Sequence, residues 1–420
     1  MPDESHPVVD AFLADQLTGD AALERTIDRR DYMWRFAMDQ RSDQRDLALL
    51  DYFRGGLSVE RLVRRALAWR FGAREDLRLL DFAAGCGRAT RYLVRQHGAE
   101  RITAADILPE AVAFLRQTFG IETFASATRP DDVVCDQPFD AIVSASFFSH
   151  LPQATFEPWL RRLYGMLAPG GLLIFSVHGE DAWSGALDAN GFSYLQVSEI
   201  DELSTEDYGI AQVSESFMAR AIAAASGGQA SYRRLRRGLW TYQDVYLVTT
   251  DSSAAASEIQ PGEPAGQLYG AEHPESDPCQ LQLHGWATDL NGSEVERIEV
   301  VVNGATAGVT APAAPLPEIA ADLGQPELAV AGWSMVVQSP RGRFDPRDVI
   351  LIKVVSRSGE SYVIHGDTLR GLLVTDALAR LRERSQQVEQ LERQLAQMRQ
   401  SRFWKLRETW WDLRHRLGSG

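Results

Sequence analysis

The sequence predicts a doubly wound α/β sheet over residues 76–250, a small β-sandwich over 279–372, and a helical coiled coil with a basic amphipathic tail over 373–420. Three observations carry this. Between positions 78 and 250 short β-rich runs alternate with helical patterns, which is how a parallel sheet with helices on both faces is written. From position 279 short alternating apolar runs are separated by Asn-Gly, Asp-Pro and Ser-Gly turns. From Val374 apolar residues recur at alternating spacings of three and four.

In chain order, residues 1–75 read as helices, because WRFAMDQRSDQRDLALLDYF and VERLVRRALAWRFG carry apolar residues every three or four positions. They precede the first strand and are expected to cap a pocket. The strands then expected are RLLDFA, RITAAD, IETFAS, FDAIVSA and GLLIFSV, followed by two near SYRRLRRGLW and DVYLVTT. Residues 251–278 are poor in large apolar side chains and rich in Ser, Ala, Pro, Gly and Glu, so they read as a linker. Beyond it LQLHGWATDL, VERIEVVVNGATAGV, AGWSMVVQ, DVILIKVVSRSG and SYVIHG read as the sandwich strands. Trp286 and Trp333 could stack on sugar rings if exposed, but their alternating surroundings favour a place in the core.

Composition narrows the classes. A chain of 420 residues exceeds what one core organises, and 45% apolar content supports several. No run is apolar enough to span a bilayer, and the acidic start MPDESHPVVD has no apolar leader, so the expected setting is cytoplasmic. Three widely spaced cysteines, Cys86, Cys135 and Cys279, suit a reducing compartment and predict no metal site. The net charge of -15 argues against nucleic acid as a partner.

The stretch LLDFAAGCGRATRYLV carries the chemistry. An apolar run ends in Asp81 and meets Gly85 and Gly87, whose freedom lets the backbone turn sharply beside a ligand. As a dinucleotide fingerprint it fails, since the third glycine position holds Thr90. The spacing D-x-x-x-G-x-G resembles instead motif I of class I S-adenosylmethionine-dependent methyltransferases. RITAAD ending in Asp106, nineteen positions after Gly87, FDAIVSASFFSHLP, and LYGMLAPGGLLIFSVHG succeed it in that family's order.

The resemblance implies a Rossmann-like methyltransferase sheet with S-adenosyl-L-methionine as cofactor. It implies that Asp81, Ala83, Gly85 and Gly87 form the cofactor turn and that Asp106, with Ile107 beside it, holds the ribose. Ser126 stands where relatives often carry an acid against the adenine, and Ser144 and Ser146 are expected to face the methionine part. His150, in the loop after the fourth strand, is the candidate base, and Tyr208, in a segment where relatives insert an active-site cover, is the candidate acceptor contact. Arg88 reads as a partner for a carboxylate of the first helix.

In the tail the seam Val374, Ala377, Leu381, Arg384, Val388, Leu391, Leu395 and Met398 predicts a coiled coil and a homo-oligomer. Residues 401–420 place Phe403, Trp404, Trp410 and Trp411 among five basic residues and two acids, a pattern for a membrane surface, here the inner face, or for a partner protein. A domain set ending in SRFWKLR resembles bacterial surface-polysaccharide enzymes. The expected function is an O-methyltransferase acting on a glycan or lipid-linked saccharide; the alternatives are a methyltransferase for a small metabolite or protein, or a scaffold that no longer turns over.

Overall fold

The computed structural model describes residues 6–400 apart from 20, 43, 136, 181–186, 198–202, 252–258, 260–262, 275, 289–294, 323–329 and 358. Three helices come first: α1 (Pro7–Gln16), α2 (Tyr32–Gln40) and α3 (Arg45–Phe71). The strands β1 (Leu79–Phe82), β2 (Ile102–Asp106), β3 (Glu122–Ala125), β4 (Phe139–Ser144) and β5 (Leu167–Gly179) then lie parallel in the order β3-β2-β1-β4-β5. The edge is antiparallel: β9 (Gln243–Thr249) runs against β5, and β8 (Ser231–Leu239) against β9.

Both faces of this sheet are covered, so its strands are apolar at consecutive positions rather than at alternate ones. Leu79, Ala141, Leu172 and Val245 point into a core with α3, α4 (Thr90–His97) and α5 (Pro109–Phe119). Leu80, Ile142, Leu173 and Tyr246, one residue along, point into a second core with α6 (Gln153–Gly165) and α7 (Glu215–Ser226).

An unexpected pair, β6 (Phe192–Leu195) and β7 (Ile210–Val213), is built onto the C-terminal end of β5, where His178 and Gly179 register with Gln212 and Val213. The segment TEDYGIAQVSESF therefore does not form a loose cover alone. Its centre is a strand, and Gly209 and Ala211 donate to the carbonyls of His150 and Ser149 at 2.9 and 2.8 Å.

Past position 264 come β10 (Ala265–Glu272), β11 (Gln280–Thr288), β12 (Val295–Val302), β13 (Ala305–Thr310), β14 (Ala314–Pro315), α8 (Pro317–Asp322), β15 (Val330–Gln338), β16 (Val349–Ser356) and β17 (Ser361–Thr368). They make two four-stranded antiparallel sheets, β10-β11-β15-β14 and β13-β12-β16-β17. Leu281, Leu283 and Val337 of one share a core with Ile298, Val300 and Ile350 of the other. Asn303 and Gly304, both at positive φ, turn β12 back into β13, as an Asn-Gly hairpin requires. The linker expectation needs correction, since residues 265–272 are strand β10. Its small residues fit an edge where Ala265 and Ala271 alone are deeply buried apolar side chains. Trp333 is core, at 3% exposure, and Trp286 is half-buried.

The N-terminal helices do more than cap. Val8, Val9 and Phe12 of α1 and Leu49, Leu50 and Phe53 of α3 cluster with Val301, Val349, Leu351 and Val363 of the second unit. Arg54 Nη1 donates to the Ile364 carbonyl at 2.7 Å. From this segment, Arg30 to Met33, Arg35, Phe36 and Val59 supply one wall of a cavity over the sheet.

The final described element is α9 (Leu369–Gln400), one helix over the predicted seam. Leu369 and Leu372 seat its start in the core, whereas Leu381, Val388 and Leu391 are 61%, 54% and 59% exposed. Residues 401–420, the basic aromatic tail, lie outside the described residues.

Candidate active site

A cavity of about 510 Å³ opens at the C-terminal ends of the parallel strands, where an α/β sheet of this kind places its ligand. Each strand lines it with residues at or just past its end: Ala83 and Gly85 after β1, Asp106 and Ile107 at β2, Ser126 after β3, Ser146 and His150 after β4, and His178 on β5. The volume lies in the range of small-molecule and cofactor sites.

The glycine turn is held by the acids around it. Asp106 accepts from the Gly85 amide at 2.8 Å and from the Leu108 amide at 3.0 Å, so its carboxylate is fixed at the cavity wall with lone pairs to spare for ligand hydroxyls. Burial raises its pKa, and those amide donors pull it back down. Asp81 accepts from Thr90 Oγ1 at 2.7 Å and, with burial the larger effect, is pushed up to about 6. Ala83 stands at φ +60° and Gly85 at +56°, and both line the cavity, where neither carries a side chain larger than a methyl group.

Two expected contacts are not cavity walls. Gly87 is buried at φ +81°, and a side chain there would run into Phe119 of α5, so its smallness serves the packing of the turn. Ser144 is wholly buried within β4, and its Oγ has no hydrogen-bond partner among the described residues.

His150 is oriented by its backbone surroundings. Its Nδ1 lies 2.8 Å from the Gly209 carbonyl, which only accepts, so the neutral ring carries its proton on Nδ1 and a lone pair on Nε2. Burial depresses the imidazole to about 4, with the Gly209 hydrogen bond opposing. The Tyr208 ring stacks on it, centroids 4.5 Å apart at 10°. Ser146 Oγ is 3.4 Å from Nε2 and 3.0 Å from Ser149 Oγ. Ser149 donates to the Ser146 carbonyl and Gln243 Nε2 to Ser146 Oγ, at 2.8 and 2.9 Å, leaving the Ser146 proton for Ser149 or His150. Ser146 sits at φ +62°, a strained place for serine, and Ser176 Oγ, itself bonded to Gln243, accepts its amide at 2.7 Å.

Sequence reasoning missed His178, Trp240, Tyr242, Gln243 and Asp31, all of which line the cavity. Only His178 carried a signal, as a polar residue closing the apolar run of β5. Gln243 Nε2 lies 3.3 Å from His178 Nε2, and His178 Nδ1 3.2 Å from the Ala211 carbonyl. Arg88 was misassigned: no carboxylate among the described residues pairs with it, and its guanidinium lies over the Trp240 ring at 4.7 Å. Among the described residues no group of three or more His, Cys, Asp or Glu could hold a metal ion.

Residues 80–173, which supply many of the cavity's lining residues, match the family model described as a methyltransferase domain. No curated protein matches the chain. Solved structures that resemble it include a TehB-like S-adenosylmethionine-dependent methyltransferase from Corynebacterium glutamicum, at 17% identity, covering 52% of this chain and 99% of that one, with a TM-score of 0.34. An amino pentose methyltransferase from Micromonospora echinaspora with S-adenosylmethionine bound is 17% identical, over 46% of this chain and 90% of that one, with a TM-score of 0.34. The glycopeptide N-methyltransferase MtfA in complex with S-adenosylmethionine is 14% identical, over 47% and 94%, with a TM-score of 0.35.

Proposed function

We propose that this methyltransferase domain moves the methyl group of S-adenosylmethionine to a hydroxyl of a saccharide, a glycan or lipid-linked intermediate of surface-polysaccharide assembly. The observation that carries hydroxyl methylation is His150, whose tautomer presents a lone pair at Nε2 beside the Ser146 hydroxyl on the cavity wall. When bound, the cofactor supplies an electrophilic methyl on a sulfonium that leaves as a neutral thioether. Asp106 and the main chain of Ala83 and Gly85 are suited to hold its ribose and its tail, and the unblocked turn fits a ligand pressed against backbone.

The chain's own residues then have three tasks. His150 Nε2 takes the proton of the acceptor hydroxyl as the new carbon–oxygen bond forms, a contribution worth on the order of a hundred- to ten-thousandfold in rate. Tyr208, stacked on the imidazole, fixes the ring plane and presents an aromatic edge to the acceptor. The walls at Tyr32, Met33 and Phe36 and at Trp240 and Tyr242 exclude water and align the acceptor with the methyl group.

The acceptor class rests on organisation: two antiparallel sheets and a long helix come after the catalytic unit, and residues 401–420 are basic and aromatic. In this reading α9 pairs with a second copy through Leu381, Val388 and Leu391, and the tail meets a membrane surface or a partner protein. No helix among the described residues is long and apolar enough to cross a membrane.

The test is methyl transfer from labelled cofactor to purified surface glycans and lipid-linked saccharides, against a panel of metabolites and proteins. Label on the saccharide supports the reading; label only on a metabolite or protein replaces the acceptor class. Cofactor binding without transfer to any of them makes the chain a scaffold.

A further inference from the structure

Helix α3 carries two adjacent glycines, Gly55 and Gly56, in the middle of its 27 residues. Glycine inside a helix costs about 1 kcal/mol relative to alanine, so a pair of them calls for a reason. Both make room for one residue. A Cβ on Gly56 would overlap the Arg88 carbonyl oxygen, and one on Gly55 would stand 3.0 Å from Arg88 Nη1. Trp240 Nε1 donates to the Gly55 carbonyl at 3.0 Å, which fixes the indole whose face the guanidinium covers. Arg88 is thus held between an aromatic plane and a stripped helix surface, on the wall of the cavity.

It is held without an acceptor. No hydrogen bond or ion pair joins its guanidinium to any described residue, and burial lowers its pKa. The carboxylate of Asp31 is occupied with the Met33 and Trp34 amides and the Tyr52 hydroxyl. One turn further along, Arg91 contrasts with Arg88: at 1% exposure it donates to the carbonyls of Gly87, Glu24 and Thr26. A planar guanidinium with a fixed plane, a half-buried position and no protein acceptor matches a ligand carboxylate, which it would bind through two parallel N–H donors.

We propose that Arg88 and Trp240 form a carboxylate-binding subsite of the cavity. In the strand order Asp106, on β2, and Trp240, between β8 and β9, lie on opposite sides of β1, so the subsite and the ribose position flank the glycine turn. The carboxylate comes either from the amino-acid end of the cofactor, which rests on the proposed cofactor reading, or from an acidic acceptor such as a uronic acid.

Calorimetric titration of the full chain and of Arg88→Gln tests this with three probes. S-adenosylhomocysteine carries the carboxylate, methylthioadenosine is the same thioether without the amino-acid group, and glucuronate is added to protein saturated with S-adenosylhomocysteine. A loss of tenfold or more for S-adenosylhomocysteine, with methylthioadenosine held within twofold, supports the subsite with the cofactor as source. Unchanged nucleoside binding with loss of a glucuronate signal seen in wild type supports it with the acceptor as source. Arg88→Lys, which keeps the charge, should retain part of the same preference. The subsite is overturned if Arg88→Gln binds all three probes as wild type does, or if it loses the two nucleosides equally. A wild-type chain that binds neither nucleoside overturns the cofactor reading itself, and the cofactor source with it.

Discussion

The main-chain carbonyl of Arg88 fills the volume that a side chain on Gly56 would need. Helix α3 and the turn after β1 are therefore in backbone contact, and the turn's position depends on a residue with no side chain. Replacing glycine by alanine inside a helix ordinarily stabilises by about 0.5–1 kcal/mol. Here no rotamer relieves the overlap, and forced repacking costs about 1–3 kcal/mol, so Gly56→Ala is expected to be less stable. The urea midpoint at constant slope measures it, and a more stable variant would refute the close approach.

Asp106→Ala removes the acceptor of the Gly85 and Leu108 amides as well as the proposed ribose ligand. Hydrogen bonds to a charged group contribute about 1.5–3 kcal/mol, so S-adenosylhomocysteine should bind ten- to a hundredfold more weakly to a chain that still unfolds cooperatively. Undiminished affinity by calorimetry would remove Asp106 from the ribose site.

The sequence is legible where its signals are local. Asp81, Gly85 and Asp106 are read from one strand-turn-helix unit and the strand after it, and the parallel strands from apolar runs that both faces require. Arg88, Trp240 and Gln243 come together only because α3 crosses the sheet and β9 returns beside β5, a pairing with no local signature. Gly87 and Ser144 show the converse. A motif position marks a glycine or a small residue as necessary without saying whether ligand or packing needs it, and α5 and the interior of β4 claim these two. Strand β10 escaped because its glycines and edge position suppress the apolar alternation.

His150 links rate to pH with a definite sign. With the imidazole at about 4, the base is already neutral at pH 5.5, so turnover should stay level from there to pH 8 and fall as pH drops through about 4. His150→Ala should lose a hundred- to ten-thousandfold in kcat and leave cofactor affinity in place. The folded pKa lies below the ordinary 6.5, so the unfolded chain binds more protons between these values. The stability from burying neutral His150 is complete above 6.5 and is lost as pH falls through about 4. His150→Gln should flatten that part of the stability profile; an acid limb of kcat near 6.5 in wild type would contradict the buried, neutral ring.

Helix α9 gives the clearest case for assembly. Its first turns are anchored, with Ala271 donating to Asp376 at 3.3 Å and Arg380 paired with Glu272. Beyond them Leu381, Val388 and Leu391 stand exposed at a spacing that returns to one helix face. Fully burying an aliphatic side chain of this size is worth about 1.5–3 kcal/mol, and a two-fold seam buries each residue twice, a gross gain that favours association against its entropic cost. Light scattering of the eluting chain should therefore give at least a dimer, and Leu381→Glu with Leu391→Glu should give a monomer whose cofactor affinity is unchanged. A chain ending at Gln400 separates the seam from the tail. If it stays oligomeric but no longer floats with anionic liposomes while the full chain does so in a salt-sensitive way, the seam assembles and the tail binds the surface. If the shortened chain is monomeric and neither form floats, the aromatic tail is itself part of the assembly, and the membrane reading falls.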